Sequence, residues 1–566
     1  MTSLDRFEST VDAAFSSYHL PHPNMYVAAW YLITVSEDHQ RLLLIGTNED
    51  MPDWRVEFFL DKHKYALRQC LAAVCKTSRD RAATELPFRV IPQLYIRTAR
   101  ILMAGIDYSI AAQICASAHS GSAHIVDDGD GFIVEVDEQL LDWRYGALEL
   151  MRQSAAESMA PALSVFLWMW MRHGKEVPTV VHKIAASTRL SKRRIRYTYE
   201  PSLSYELALS LEQPSLFIPD GWQFPCGGRN ETTLLINSLC LRIFYHLIAI
   251  HFGAARIGLR GGAEGDICLT INREQLSYDI AMSSSLDPTQ INLFMDYITY
   301  ARGVNSPDQA LQPLVRLGSR QFGIAGIGLL SSNIERNLLT LQARLEPRLF
   351  DSQSSLFEVT MTAKLADAFR QNWQFVAANR TFLLSGTREE LDLLICEPDT
   401  KTLVLLELRW ILPPADPREV QTKKSACRQK VIQAERKLAS ARADLVNLLN
   451  AAFDIAIESP GEWNVYGAVV IQGFGGTLSQ RDEIPIVPDW VLEAGILATQ
   501  SLQRLAEWMN SLNWLPINGR DFTAQDAQSV LLDIKVRYPG IAPMRPGRDY
   551  LKDATATLRG GLLPVQ

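Results

Sequence analysis

Two carboxylates stand inside otherwise apolar runs of the chain. Asp392 lies in the run Leu391–Cys396, and Glu407 lies in the run Leu403–Leu408. A Pro-Asp pair between the runs is typical of a turn, so the pattern predicts a β-hairpin. If this hairpin is symmetric about the Asp399–Thr400 bond, Asp392 is paired directly with Glu407 on the neighbouring strand.

The same register places Glu390 opposite Arg409, two residues along on the same side. Directly opposed carboxylates have Cβ atoms roughly 4.5–5.5 Å apart and destabilise a sheet, and apolar surroundings raise that cost. A divalent ion such as Mg²⁺, which prefers one or two carboxylates with waters and phosphate oxygens, would bridge Asp392 and Glu407. The alternative is a structural ion cluster, in which Arg409 and neighbouring lysines neutralise the two acids.

Histidine and cysteine chemistry is largely excluded near these acids. All ten histidines precede Phe252, so residues 252–566 hold no imidazole for a Ser-His-Asp triad, a Cys-His dyad or a histidine-based zinc site. The eight cysteines are dispersed without a Cys-x-x-Cys pair, which argues against a zinc ribbon or a disulfide framework. Carboxylates, lysines and a hard metal ion are what remains for catalysis.

A long helix is predicted over about 418–450, immediately after the hairpin. Its apolar residues recur at alternating steps of four and three, which indicates a buried seam: Cys427, Val431, Ala434, Leu438, Ala441, Leu445 and Leu448. Lys430, Gln433 and Lys437 form a stripe about 40° to one side of that seam.

The same helix is basic within an acidic protein. From Arg418 to Asp444 there are eight Lys or Arg against three acids, whereas the whole chain has a net charge of −7. Such a local excess indicates a surface that faces phosphates, although a solvated charged helix face remains the alternative. The candidate nucleic-acid contacts on this helix are Lys423, Lys424, Arg428, Lys430 and Lys437.

Asp392, Glu407 and Arg409 resemble the Asp…Glu-x-Lys signature of the PD-(D/E)XK, or restriction-endonuclease-like, nuclease superfamily. The surrounding pattern is similar as well. A helix near 355–374 and a strand near 381–384 precede the hairpin, and strands at 463–473 and 484–488 follow the long helix, before a helix capped by Asp489. The resemblance implies an αβββαβ nuclease domain over residues 351–515, about 160 of the 566 residues.

The resemblance also implies roles for individual residues. Asp392 and Glu407 would bind Mg²⁺ or Mn²⁺, and the residue at Arg409 would act on the attacking water. Arginine departs from the family's lysine at this position and stays protonated, so it stabilises phosphate charge but cannot act as a base. Gln433 and Lys430 resemble the helix-borne partners of some members and are therefore further catalytic candidates.

The remaining chain is expected to form three more regions of an α/β multidomain protein. Residues 1–200 are predicted to be mainly helical, and residues 177–200 have a helix-turn-helix pattern in which Arg193, Arg194 and Arg196 would contact DNA; an ordinary helical hairpin with a basic face is the alternative. Residues 201–350 are predicted to be helical or mixed. Residues 516–566 are predicted to be a basic tail, either an arm that binds a partner or a frayed end.

Composition limits the class of protein. Apolar residues make up 47% and charged residues 21% of the chain, which is ordinary globular usage and excludes whole-chain disorder. The strongly apolar stretch Ala162–Met171 is half the length that a membrane span needs, and no basic leader with an apolar core follows Met1. We therefore expect a cytoplasmic protein without a membrane anchor.

These observations predict a metal-dependent nuclease that cuts DNA, with RNA left open as a substrate. No NTPase motif is present, so an ATP-driven partner would be a separate chain. A nuclease region joined to large helical regions resembles components of bacterial antiviral defence or mobile-element systems. The alternative is a catalytically inactive nuclease fold that acts as a scaffold or as a DNA-binding module within a larger complex.

Overall fold

The computed structural model describes residues 2–46, 53–78, 80–82, 84–87, 89–136, 140–155, 177–192, 194–211, 216–259, 264–414, 417–479 and 483–559. The chain divides into two compact units. The first comprises Met1–Ala112, Glu157–Asp351 and Val530–Ile534, and the second comprises Gln113–Ala156, Ser352–Ser529 and Lys535–Gln566. The units cut across the four consecutive regions expected above, because residues 113–156 and 535–566 pack with the C-terminal unit. The apolar stretch Ala162–Met171 lies outside the described residues.

Helices and strands together confirm a mixed α/β protein. The α-helices are α1 Ser3–Ser16, α2 Met25–Gly46, α3 Asp53–Thr77, α4 Pro92–His119, α5 Leu140–Ala155, α6 Thr179–Ala186, α7 Pro201–Leu209, α8 Arg229–Arg256, α9 Arg273–Ser284, α10 Pro288–Tyr297, α11 Gly326–Leu330, α12 Ile334–Leu345, α13 Pro347–Arg370, α14 Pro417–Ala443, α15 Leu445–Phe453, α16 Asp489–Ala498, α17 Leu502–Ser511 and α18 Gly547–Ala554. The strands are β1 Ala123–Asp127, β2 Phe132–Val136, β3 Arg189–Ser191, β4 Arg194–Arg196, β5 Gln223–Phe224, β6 Gly227–Gly228, β7 Leu269–Asn272, β8 Val315–Arg316, β9 Gln321–Ile324, β10 Phe375–Leu384, β11 Thr387–Glu397, β12 Thr402–Trp410, β13 Asn464–Gln472, β14 Ile486–Pro488, β15 Phe522–Leu531 and β16 Ile534–Pro543.

The first unit is built around buried helices. Trp30 and Tyr31 of α2 are fully enclosed, and nearly every side chain of α8 between Leu235 and Ile250 is buried. By length and composition alone, α4 and α8 are long and apolar enough to cross a membrane. In the structure, 50% and 83% of their most apolar windows are buried inside the protein. A buried core helix passes the same test, so these helices carry no argument for a membrane location.

The helix-turn-helix predicted at 177–200 is wrong in its second half. Helix α6 is followed by the antiparallel hairpin β3–β4 instead of a second helix. Ile195 is buried and its N–H donates to Asp266 Oδ2, while Arg194 Nε donates to the other oxygen of the same carboxylate at 2.6 Å. This pairing with an acid 72 residues away holds an extended strand where the basic sequence favoured a helix.

A five-stranded sheet forms the centre of the second unit, in the order β10-β11-β12-β13-β14. β10, β11 and β12 are antiparallel neighbours, whereas β12, β13 and β14 are parallel. Helices α13, α16 and α17 cover one face, and α14 with α15 covers the other. The element order from α13 to β13 is therefore the αβββαβ order expected from the sequence.

The predicted apolar seam on the long helix is confirmed. All seven of its residues are buried against the odd-numbered face of β12, where Leu403 and Leu405 meet them. The helix is interrupted at Asp444, so α14 ends at Ala443 and α15 continues the seam. Burial of this seam fixes the rotation of α14 and hence the direction of the lysine stripe beside it.

The predicted basic tail is instead folded over its described residues, most of which belong to the second unit. β15 and β16 belong to a four-stranded sheet with β1 and β2, and Val536 pairs with Phe132. In α18, Tyr550 is fully buried and packs on Trp490. Phe132 is some 400 positions from its partner and Trp490 some 60 from its own, so the local composition that suggested a tail carried no trace of these contacts.

The prediction that Asp489 caps α16 is wrong, because Pro488 is the N-cap and Asp489 is the first helical residue. Its Oδ2 accepts a hydrogen bond of 2.9 Å from Gln472 Nε2, and burial raises the pKa of its carboxyl to about 6. An acid whose pKa is higher in the folded state contributes stability below its unfolded value near 4 and loses it as the pH rises towards 6.

We therefore expect Asp489→Asn, which keeps an acceptor for Gln472, to raise the free energy of unfolding at pH 7 by about 2 kcal/mol. At pH 4 the variant and the wild type should differ much less, because the folded wild type is then largely protonated at this site. Urea unfolding at the two pH values measures the difference. An equal effect at pH 4 and pH 7 would show that the burial of charge is not the cause.

Candidate functional site

The hairpin that carries the two acids has the predicted register. β11 and β12 pair from Leu393 with Leu406 through Glu397 with Thr402, which is the arrangement symmetric about the Asp399–Thr400 bond. Asp392 and Glu407 are the next residues of the two strands. The paired ladder therefore ends at the point where the two acids begin.

Strand alternation breaks at the level of Asp392. In β11, Leu391 and Leu394 both belong to the apolar cluster under α14, although they are three positions apart; in β10, Ala377 and Phe382 do so five positions apart. Odd spacings on one face require a local irregularity, because side chains alternate with a period of two. Asn379, which the β10–β11 register omits, has a φ of 49° in the left-handed region.

This irregularity turns the Asp392 carboxylate towards β12. Its Oδ2 accepts a hydrogen bond of 2.7 Å from the backbone N–H of Leu408. Glu407 points from the adjacent position of β12 towards α14, as its ion pairs with that helix show. The two carboxylates thus lie on the same side of the sheet, as the sequence predicted.

Two lysines of α14 bind these acids. Lys430 Nζ lies 3.2 Å from Asp392 Oδ2 and 3.1 Å from Glu407 Oε2, and Lys437 Nζ lies 2.7 Å from Glu407 Oε1. The lysines are seven residues apart, about two helical turns, and so project from one face of the helix. Lys430 is therefore the single cation that contacts both carboxylates, among the residues that the structure describes.

Burial makes these charges strongly interdependent. The Glu407 side chain is 0% exposed, against 20% for Asp392 and 16% for Lys430. Burial, and then the charge of Asp392, raises the pKa of Glu407, against the opposing effect of the two lysines. Burial lowers the pKa of Lys430, but the two carboxylates outweigh it and the net pKa is raised. The pKa values of Glu407 and Lys430 therefore both depend on neighbouring charges.

One oxygen of this cluster lacks a hydrogen bond. Glu407 Oε2 is fully buried, and the Lys430 ammonium 3.1 Å away forms an ion pair with it without a well-aligned hydrogen bond. A buried carboxylate oxygen without an aligned donor is costly. It marks a position at which a better-placed cation would bind.

Arg409 has a different partner from the one predicted. It is half exposed and its Nη1 lies 2.9 Å from Glu358 Oε1 on α13, whereas Glu390 pairs with Thr381 of β10. The next residue of β12, Trp410, stacks on Phe357 with ring centroids 4.0 Å apart. This stacking docks α13 on the end of β12 and places Glu358 beside the guanidinium.

Other predicted residues lie around the cluster without joining it. Gln433 is exposed between the two lysines on α14, and no hydrogen bond joins it to either acid among the described residues. Lys423, Lys424 and Arg428 are partly buried, and Arg428 Nε makes no hydrogen bond. Lys437 was predicted to contact nucleic acid but instead neutralises Glu407.

The arginines of the first unit that were predicted to contact DNA differ in their exposure and partners. Arg194 is engaged by Asp266, as described above, and its side chain is only 18% exposed. Arg196 is exposed. Arg193 lies outside the described residues. The basic stripe that a recognition helix would present is therefore not formed by Arg194 and Arg196, which belong to a hairpin.

Two ion pairs beside the cluster were not predicted from the sequence. Glu389 is buried in β11 and binds Arg436 of α14, with Oε2 and Nη2 2.8 Å apart, and Glu358 binds Arg409. For Glu389 a signal was present in the sequence, since this acid lies in the same strand as Asp392, three residues before it. No sequence signal joined Glu358 to a residue 51 positions away.

The donor set fits a hard divalent ion. Mg²⁺ takes one or two carboxylates and completes its shell with water or phosphate oxygens, and Asp392 with Glu407 supplies two carboxylates, one with an unsatisfied buried oxygen. Within the described part of the chain, no group of three or more His, Cys, Asp or Glu side chains is placed to hold a metal.

Comparisons with protein-family models, curated proteins and solved structures find no match to this chain.

Proposed function

We propose that the second unit is a metal-dependent nuclease of the PD-(D/E)XK type, in which Lys430 replaces the lysine that the signature lacks at Arg409. The observation that carries this proposal is the position of the Lys430 ammonium, within 3.2 Å of both Asp392 and Glu407. The αβββαβ element order and the buried carboxylate pair are further support.

In this proposal each residue has a role set by its position. Asp392 and Glu407 would hold Mg²⁺ or Mn²⁺, which when bound supplies an activated water and charge stabilisation at the phosphate. Lys430, on the neighbouring helix α14, would orient that water and, as a protonated ammonium, donate a proton to the leaving oxygen. Arg409 is half exposed two residues after Glu407 and would stabilise negative charge on the phosphoryl oxygens.

The substrate is proposed to be DNA, with its backbone along the basic surface of α14. From the beginning of α14 to Asp444, lysines and arginines outnumber acids in a chain that is acidic as a whole. Phosphate contacts of this kind position a nucleic acid without reading its sequence. Binding should therefore weaken steeply with salt and should not depend strongly on sequence.

One observation favours a second candidate, an inactive nuclease fold that serves as a scaffold or DNA-binding module. Two ammonium groups already balance the two carboxylates, so the cluster is neutral by itself. A structural ion cluster of this kind needs no metal. The response of the protein to metal separates the two candidates.

The nuclease proposal predicts that Mg²⁺ raises the melting temperature of the wild type by roughly 3–6 °C at ten times its dissociation constant. Asp392→Asn, which removes one carboxylate charge, should abolish that gain. Under the same conditions the wild type should nick plasmid DNA and should cleave RNA more slowly. With a chelator present it should cleave neither. Glu389→Gln is the matched control, since Glu389 is a buried acid of the same strand outside the cluster.

A wild type that neither gains stability from Mg²⁺ or Mn²⁺ nor cleaves either nucleic acid would favour the scaffold. In that case Asp392→Asn would simply lower the melting temperature, because it leaves Lys430 with one acid fewer. Preference for RNA over DNA would retain the nuclease and change its substrate.

A further inference from the structure

The position of Lys430 has a consequence for how a metal ion enters the site. Its ammonium contacts an oxygen of each acid, 3.2 Å from Asp392 Oδ2 and 3.1 Å from Glu407 Oε2. A divalent ion bound by both carboxylates would be about 2.0–2.1 Å from an oxygen of each. An ion in contact with these two oxygens would therefore lie within about 4 Å of the ammonium, and the two positive charges would repel each other.

Charge balance leads to the same conclusion. With Lys430 and Lys437 in place, two positive charges neutralise two negative ones, and the Glu407 side chain is fully buried. A divalent ion added to this arrangement would leave a buried excess of two positive charges. Departure of one ammonium removes half of that excess, and Lys430, at 16% exposure against 9% for Lys437, has the shorter way to solvent.

The geometry of Glu407 Oε2 indicates that Lys430 is a poor occupant of this position. That oxygen is buried and accepts no hydrogen bond, although the ammonium is close enough to give one. By contrast, Lys437 donates a well-formed hydrogen bond of 2.7 Å to Oε1. Lys437 is therefore fixed by its hydrogen bond to Glu407. Lys430 is attracted to both acids but is not aligned for a hydrogen bond with Glu407.

We propose that Lys430 is an internal cation that competes with the divalent ion for Asp392 and Glu407, so that the ion binds only when the Lys430 ammonium moves away. The phosphate of a bound nucleic acid is the anion that receives the displaced ammonium. Metal and nucleic acid then bind cooperatively. The phosphate draws the ammonium away from the carboxylates that bind the metal, and the metal releases the ammonium to bind the phosphate. This proposal rests on the proposed nuclease function and adds the regulation of its metal site.

The test measures the affinity of the full-length protein for Mn²⁺ by electron paramagnetic resonance, without nucleic acid. Lys430→Gln should bind Mn²⁺ at least about tenfold more tightly than the wild type, because a like charge next to the ion has been removed. Lys430→Arg keeps the charge and should remain as weak as the wild type. Arg436→Gln removes a charge from the same helix at the Glu389 pair and should change the affinity by less than about threefold.

A second measurement keeps the test decisive if Lys430→Gln is less stable. Adding a short non-cleavable DNA duplex should tighten Mn²⁺ binding to the wild type at least about tenfold and have much less effect on Lys430→Gln. Suppose that the wild type cleaves DNA with metal but Lys430→Gln binds Mn²⁺ no more tightly than the wild type. The competition proposal would then be overturned, and the nuclease proposal would be retained. No Mn²⁺ binding by either protein would overturn both.

Discussion

Glu407→Gln should reduce metal-dependent DNA cleavage at least about a thousandfold. Removing a carboxylate charge from a two-acid metal site takes away half of the protein's ligands, and electrostatic stabilisation of this kind accounts for several kcal/mol of a nuclease's rate. The Glu407 side chain is fully enclosed between β12 and α14, so no neighbouring acid can replace it without moving the helix. The measurement is the single-turnover rate of plasmid nicking at saturating Mn²⁺.

The control for this variant is Glu389→Gln. Glu389 is also a buried acid that binds a basic residue of α14, but it contacts Arg436 and not the Asp392–Glu407 cluster. It should therefore lose stability to a similar degree and retain most of its cleavage. If Glu407→Gln cleaves as fast as Glu389→Gln, Glu407 is not a metal ligand and the ion cluster is structural.

Lys430→Gln should cleave about a hundredfold more slowly than the wild type even though it binds metal more tightly. In the proposed mechanism the loss of the ammonium removes the group that would orient the attacking water, and losses of this size are typical of general acid–base residues. Tighter binding with slower turnover is a combination that damage to the fold would not produce, because damage would weaken both. Rates at saturating Mn²⁺ and the Mn²⁺ affinity, determined on the same preparation, give the comparison.

Lys437→Gln is the matched variant for this prediction. Lys437 binds only Glu407 Oε1 and is more deeply buried than Lys430. Its substitution should therefore lower stability more and the single-turnover rate less. A rate that falls equally in the two variants would mean that Lys430 acts only by neutralising Glu407.

Much of the hairpin and its covering helix could be predicted because their determinants are local. The Pro-Asp turn fixed the register from Leu393–Leu406 onwards, and the four-and-three spacing on α14 fixed which face is buried. Together these placed Asp392 and Glu407 on one side of the sheet. Each determinant depends on residues close in sequence, where turn geometry and helical periodicity act directly.

The remainder of the site depends on contacts that no local pattern contains. The bridge from Lys430 to both acids requires the rotation of α14 and the break in alternation near Asn379 together. The sequence offered Lys430, together with Gln433, as a catalytic candidate on the helix, but it did not indicate that Lys430 contacts both acids or that Lys437 binds Glu407. The Arg409–Glu358 pair likewise depends on how α13 docks against Trp410.

Long-range pairing also explains two further predictions that were wrong. A short basic segment after α6 has the spacing of a recognition helix, yet Asp266 binds Arg194 and the Ile195 N–H and holds a strand. The C-terminal residues have the composition of a tail, yet Val536 completes a sheet with Phe132. In both places a distant partner satisfies a group whose local sequence pointed to solvent.

The most direct test of the account is a crystal of the protein soaked in Mn²⁺ and measured at the manganese absorption edge. We expect one anomalous peak about 2.0–2.2 Å from a carboxylate oxygen of both Asp392 and Glu407, with the Lys430 ammonium no longer in contact with both acids. A map without a peak there, at a Mn²⁺ concentration far above that used in the cleavage assay and with Lys430 still in contact with both acids, would contradict it.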